Sequence, residues 1–482
     1  MERRTFLKIL SSAGIVSLVS PTFAMEVCKN KVSKSSSALL ESAFRNPPFS
    51  SGVYTWWHWM NGNITKDGIT RDLEAMKANG IAGYQLFEAG SGIPIGPVES
   101  LSDEWVDLIL HTLKESERLG LEFAMHNCPG WSSSGGPWIT PDKAMQIITW
   151  SETKITGGKQ VRIQLPTPKH MFDYYIDTYC LAIPANMKVI PRLSILELSN
   201  RLDKDGVLTW DVPTGEWLIM RFGQTAKDQK NKSAPSKSTG LDCDKFSTEA
   251  LDYHLNCMFK RLMPAMEKIA KHSKIGLLID SYETGDQDWT SDMPAYFEQS
   301  HGYELYPFLP VLANKIVESE ESTKRFLFDF RRVRADMFAE RYYGHFQKRC
   351  KEKGIITYTE PYGGNMMEEL QVAQQLDINM GEFWCGQTVL WANYKSNRTV
   401  KQVASIAHTL GGKVVGAEAF TSEPDADKWL QYPYALKSLG DYMFTRGLSR
   451  IYFHRFAHQP HPTAAPGMTM GAWGLHFDRT NT

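Results

Sequence analysis

Val53-Tyr54-Thr55-Trp56-Trp57-His58-Trp59, then Thr65-Lys66-Asp67 leading to Asn79-Gly80, then Ile81–Phe87 is the stretch whose reading decides the fold. The first segment is short, apolar and β-branched or aromatic, the composition of a buried strand. From Thr65 the spacing changes: Ile69, Leu73 and Met76 recur at helical intervals, and Asn79-Gly80 is a common helix stop. Ile81–Phe87 is again a continuous apolar run. Strand, helix and strand within 35 residues make a βαβ unit, which implies a parallel sheet covered by helices.

The rhythm continues outward. Ser102 caps a helix carrying Trp105, Leu108, Ile109 and Leu113 up to Gly120, and Leu121–His126 is a third strand. Between about 144 and 223 it breaks into short β-rich runs such as Gln160–Leu165 and Glu216–Arg221, punctuated by Gly-Gly, Asp-Gly and Pro turns. Lys227 to Thr239, rich in Lys and Ser, reads as a flexible loop closing this insertion. Alternation then resumes. Helix Phe246–Lys271 precedes strand Gly276–Asp280, and a long helical region precedes Ile355–Thr359. Helix Met366–Ala373 leads to Asp377–Phe383, Thr399–Leu410 to Lys413–Ala417, and Ala426–Arg446 to Arg450–His454.

Eight strands alternating with helices predict an α/β fold, a (β/α)₈ barrel with an all-β insertion after the third strand. The expected organisation is an export signal over 1–24, a linker over 25–43, barrel over 44–143, insertion over 144–240 and the rest of the barrel over 241–482. After His454 the tail is rich in Pro, Gly and His with no eighth amphipathic helix, so the barrel is expected to be incomplete at its C-terminal end, as in a truncated longer protein.

A net charge of −1 argues against nucleic acid or an anionic membrane surface as partner. Arg3-Arg4-Thr5-Phe6-Leu7-Lys8, the apolar Ile9–Val19 and Thr22-Phe23-Ala24 resemble a twin-arginine export signal, which implies a periplasmic or extracellular protein. Glu2 stands where Ser or Thr usually precedes the arginines, so the ordinary secretory route stays open. The apolar stretch is too short for a stable membrane anchor. Seven cysteines without metal-ligand spacing read as buried thiols rather than a zinc site or disulfide framework.

Chemistry in such barrels sits where strands end. Those positions hold His58, Glu88, Asn127, the Asp280-Ser281-Tyr282-Glu283 turn, Glu360, Glu382, Glu418 and His454. Five of the eight strands thus carry an acid at or next to this end. Paired carboxyls suit hydrolysis of a glycosidic bond, and further ones suit a divalent cation such as Ca²⁺. Structural salt bridges are the alternative for two or three of the acids. For His58, His126 and His454, sugar contact and ordinary core packing are both open, and His458, Gln459 and His461 are candidates for the rim.

Phe44–Pro48, Trp56–Gly62, Gly83–Glu88, His126–Trp131, Asp280–Glu283, Gly416–Thr421 and Pro466–Thr469 together resemble the catalytic domain of glycoside hydrolase family 106 from about residue 44 onward. The resemblance implies an inverting α-L-rhamnosidase, associated with calcium, acting on an oligosaccharide or glycoside. It makes Glu283 the general acid and Glu418 the general base. Asp280 becomes a supporting acid, and His58, Glu88, Asn127, Glu360, Glu382 and His454 substrate-binding or supporting residues, with Glu360 and Glu382 as candidate calcium ligands. Two other readings stand beside it: a retaining hydrolase of another sugar with Glu418 as nucleophile, and a carbohydrate-binding barrel remnant without turnover.

Overall fold

The computed structural model describes residues 34–90, 92–131, 134–270, 274–385, 390–412, 414–423, 430–464, 467–470 and 475–481. The export signal expected over 1–24 and the linker over 25–33 lie outside them. Over 34–43 the expected linker is instead part of a helix, Lys34–Arg45. The Ala38-to-Arg45 run is mostly helix formers, and Glu41 pairs with Arg45 one turn on, which outweighs the serines before it.

From Val53 the chain forms a closed barrel. Its strands are β1 (Val53–Met60), β2 (Ile81–Ala89), β3 (Glu122–His126), β4 (Ile275–Ile279), β5 (Ile356–Thr359), β6 (Ile378–Trp384), β7 (Val415–Thr421) and β8 (Arg450–Ala457). They pair parallel in sequence order, and β8 returns to β1 through Tyr54 opposite Tyr452. Helices α1 (Lys66–Ala78), α2 (Asp103–Leu119), α3 (Thr248–Ile269), α4 (Glu320–Met337), α5 (Glu369–Ala373), α6 (Leu390–Leu410) and α7 (Pro433–Thr445) lie between them.

Local chemistry sets these elements as the sequence predicts. The Thr65 hydroxyl accepts from the Gly68 amide, and the Ser102 hydroxyl from Trp105, caps worth about 1 kcal/mol each. Ile69, Leu73 and Met76 are fully buried, each contributing roughly 1.5–3 kcal/mol by burial. Helix α5 is shorter than expected and α7 starts at Pro433, whose fixed φ suits a first helical position.

The barrel floor is filled by large rings facing small residues. Tyr54, Tyr358 and Tyr452 meet across the axis, with ring centroids 5.2 Å and 6.4 Å apart. Room comes from Gly276, where a Cβ would stand 2.6 Å from the Tyr358 ring, and from Gly416, between Met380 and Tyr452. Because side chains alternate, residues two further along β5, β6, β7 and β8 also point inward, one layer nearer the mouth. Those residues are Glu360, Glu382, Glu418 and His454.

The insertion is all-β, as predicted, and its strands pair antiparallel. Gln146–Thr156, Glu216–Ala226, Ile176–Pro184 and Leu196–Glu197 form one sheet, and Lys159–Gln164 pairs with Val207–Val212. Leu165, Cys180, Ala182, Leu208, Trp210 and Ile219 share a core between the two sheets. The ring of eight strands is closed, and among the described residues no helix follows β8. The tail instead packs back on the barrel, with Phe477 bridging to Phe456 and Arg479 paired to Asp72 of α1. The described cysteines are free thiols.

Candidate active site

Four carboxyls stand inside the mouth. Oxygens of Asp280, Glu360 and Glu418 all lie within 4.8 Å of one another, and all three residues are buried. Glu382 sits on β6 directly opposite Glu418 on β7. Neighbouring donors anchor them: the Ser281 amide for Asp280 (2.6 Å), the Tyr362 hydroxyl for Glu360, the Trp384 indole for Glu382 and the Thr421 hydroxyl for Glu418. His126 adds a contact to Asp280 at 3.3 Å while its other ring nitrogen meets the Leu86 carbonyl. Burial, then the charges of Glu418, Asp280 and Glu382, push the Glu360 carboxyl well above the usual carboxylate range. Its Oε1 is buried without a hydrogen-bond partner among the described residues. Such a group calls for a proton or a cation.

Beside the acids is an aromatic and imidazole wall. The Trp56 ring meets His126 and His454 edge-on, at 5.1 Å and 5.8 Å, and the His58 and His454 rings lie 5.2 Å apart. Burial lowers both imidazoles, His454 to about 3, with Arg455 adding to the effect, so both are neutral at any ordinary pH. The Met470 sulfur caps His58 Nδ1 at 2.9 Å.

Glu283 stands apart from the buried trio, one turn beyond Asp280 on the β4 loop and partly exposed. Its Oε2 accepts from the Trp131 indole at 3.0 Å and from the Lys232 ammonium at 2.6 Å. Trp131 in turn stacks on Phe87.

The family model described as alpha-L-rhamnosidase matches residues 45–179 and 169–482, nearly the whole described chain. The protein belongs to glycoside hydrolase family 106. A protein of Formosa agariphila named "Putative beta-glucuronidase" is 40% identical over 92% of this chain and 40% of its own length. The solved rhamnosidase from Novosphingobium sp. PP1Y superposes with a TM-score of 0.82 at 24% identity, over 90% of this chain and 58% of that one, a likeness of fold. The chain thus spans well under two thirds of the length of either.

Two residues read at strand ends do not face this family 106 mouth. Glu88 lies in phase with Tyr84, whose hydroxyl meets Ser116 of α2, so both point at the helical layer. Its oxygens accept from Ser100 (2.7 Å) and Trp105 (3.0 Å). Asn127 is an internal strut: its amide donates to the Leu278 carbonyl and its oxygen accepts from Ser134. His458 and Gln459 are likewise buried rather than on the rim, bonded to Asp72 and to the Met468 backbone.

Glu88 makes a stability prediction. Burial raises its carboxyl from 4.5 to about 7, against the pull of the Ser100 and Trp105 bonds. A carboxyl raised in the folded state leaves stability unchanged below the unfolded value. It then erodes stability as pH climbs from about 4.5 to about 7, by about 3 kcal/mol in all. Glu88→Gln, which mimics the protonated form, is expected to lack this loss. Thermal melts at pH 5 and pH 8 should show a smaller decline than the parent, and parallel declines would refute the assignment.

The sequence reading missed Lys232 and Trp131 at the rim and the anchoring donors Tyr362, Trp384 and Thr421. Trp384 and Thr421 lie two and three residues past an inward acid, a spacing that carries a signal. Lys232 lies in a loop whose composition gave none.

Proposed function

We propose that this barrel is the catalytic part of an inverting glycosidase that removes terminal α-L-rhamnose from glycans or glycosides. The observation that carries the reading is the inward-facing Glu418 at the end of β7, together with a second carboxyl, Glu283, at the rim above β4. Glu283 gives a proton to the leaving glycosidic oxygen. Glu418 takes a proton from the water that attacks the opposite face, as the bond from the anomeric carbon to the leaving oxygen breaks. Water must fit between base and sugar, which needs carboxyls about 6.5–9.5 Å apart, and a rim acid facing a deeper base suits that demand. Asp280 and Glu382 flank the base, while His58, His454 and Trp56 offer neutral donors and ring faces to sugar hydroxyls and C–H bonds.

The family implies calcium, and the residues present fit it. The donor set is all carboxylate, the choice of a hard cation, and the buried Glu360 Oε1 has no other partner among the described residues. Asp280 and Glu360, whose oxygens cluster with that of Glu418, would hold the ion, with Glu382 on the neighbouring strand a further candidate donor, and the ion would supply compensating charge and coordination for sugar hydroxyls. Chelation is therefore expected to lower both activity and melting temperature, and added Ca²⁺ to restore both. Equal melts with and without chelator would argue for a proton on Glu360 instead.

The relative's name raises a β-glucuronide as substrate. The cleavage experiment with an aryl β-glucuronide alongside the rhamnoside decides between the two sugars. The sequence of the first 24 residues supports export, and no helix among the described residues is long and apolar enough to cross a membrane. The deciding experiment follows cleavage of an aryl α-L-rhamnoside by NMR: β-rhamnose formed first supports inversion, whereas α-rhamnose first, or cleavage of an aryl β-glucuronide only, would overturn the reading.

A further inference from the structure

The loop that closes the insertion is a strap tied along one side of the mouth by hydrogen bonds. Its contacts reach the loops after four successive strands. The Ser236 amide donates to Asn61 Oδ1 (2.8 Å) after β1, and the Gly90 amide after β2 donates to the Ser233 carbonyl (2.8 Å). Asn231 donates to the Pro129 carbonyl (3.0 Å) after β3, and Lys227 to the Asp286 carbonyl (2.6 Å) after β4. At Lys232 itself the carbonyl accepts from the Trp131 amide, and it passes so close to Gly130 that a Cβ there would stand 2.2 Å away. Only glycine permits that approach. The backbone of Lys232 is therefore fixed, and its ammonium ends 2.6 Å from Glu283 Oε2 and 5.8 Å from the Trp131 ring centre.

We propose that Lys232 is a positioning residue for Glu283, pinning the acid against Trp131 and setting the pH above which its proton is lost. The inference rests on Glu283 being the general acid. Other charges near this carboxyl are Lys227, whose ammonium lies beside Gly285, and Asp286 on the same loop, with Asp280 one turn below. The Lys232 ammonium is in direct contact with the Glu283 carboxyl, so the acid should feel its removal. A neighbouring ammonium favours the ionised carboxyl, and a general acid must be protonated to act. The upper pH limit of kcat/KM should therefore lie lower with Lys232 than without it.

The test uses the full chain and an alkyl α-L-rhamnoside, whose poor leaving group needs acid assistance. Lys232→Met should move the upper limb to higher pH by roughly 0.2–0.7 unit, the range for a partly exposed pair. Lys232→Arg, keeping the charge, should leave the limb in place. Equal melting temperatures for parent and variants confirm that the strap is intact. Glu283→Gln separates the possible failures. If that variant still cleaves the alkyl substrate, the acid assignment falls. If it does not, and Lys232→Met leaves the limb unmoved or lowers the rate equally at every pH, the role of Lys232 falls.

Discussion

Glu418→Gln is expected to lower kcat on an aryl α-L-rhamnoside by about 10²–10⁴-fold while changing KM only a few-fold. General-base assistance has that magnitude, and it is lost in the transition state alone because an amide cannot take a proton from water. The substitution is nearly isosteric, and the Thr421 hydroxyl can still donate to the remaining oxygen. It also removes one of the charges that push the buried Glu360 carboxyl upward. The variant should therefore melt at or above the parent temperature at neutral pH, so loss of rate cannot be ascribed to unfolding. Activity within tenfold of the parent would move the base to another of the clustered acids, and Glu360→Gln would be the next variant.

What was legible in the sequence was whatever a local rule determines. Thr65 and Ser102 announced their helices, and apolar runs after Gly80 and Gly120 announced strands. The acids at 280, 360, 382 and 418 could be placed at one mouth because they terminate such runs. Glu88 also terminates one, but it shares a face with Tyr84 and Leu86, and the contact of Tyr84 with Ser116 shows that this face meets the helices. The strand is buried on both faces, so its sequence carries no polarity signal that separates Glu88 from the inward acids. The strap at 227–240 was opaque for a different reason. Its Lys and Ser residues describe solvent-tolerant side chains, while its order comes from backbone groups and Asn231 bonding to loops distant in sequence. The docking of the tail was hidden in the same way, since one of its main partners is a single acid inside α1.

That acid, Asp72, should be the most costly surface-remote position to truncate: Asp72→Ala is expected to destabilise the fold by about 3–5 kcal/mol. The residue occupies the inner face of α1 beside Ile69, Leu73 and Met76, and it is fully buried. One oxygen accepts from His458 Nδ1 (2.7 Å), the Gln459 amide (3.2 Å) and the Trp57 indole (3.3 Å); the other accepts from Arg479 (2.8 Å). Arg479 also donates to the carbonyls of Gln459 and His461, so the tail is folded around this ion pair. Removing the carboxyl leaves a guanidinium and an imidazole facing an apolar gap, and breaking one side of a buried pair is what makes such changes large. Asp72→Asn keeps the shape and one acceptor, so its cost should be smaller, about 1.5–3 kcal/mol. The damage should reach the mouth. The His458 amide donates to the His58 carbonyl, and Met470 of the same tail caps the His58 ring. Urea unfolding of both variants checks the order and size of the effects, and KM for the rhamnoside should rise more in Asp72→Ala than in Asp72→Asn. A loss below 1 kcal/mol for the alanine variant would mean that the tail is held mainly by the Phe456–Phe477 bridge and the Gln459–Met468 bonds, and that Asp72 merely accompanies them.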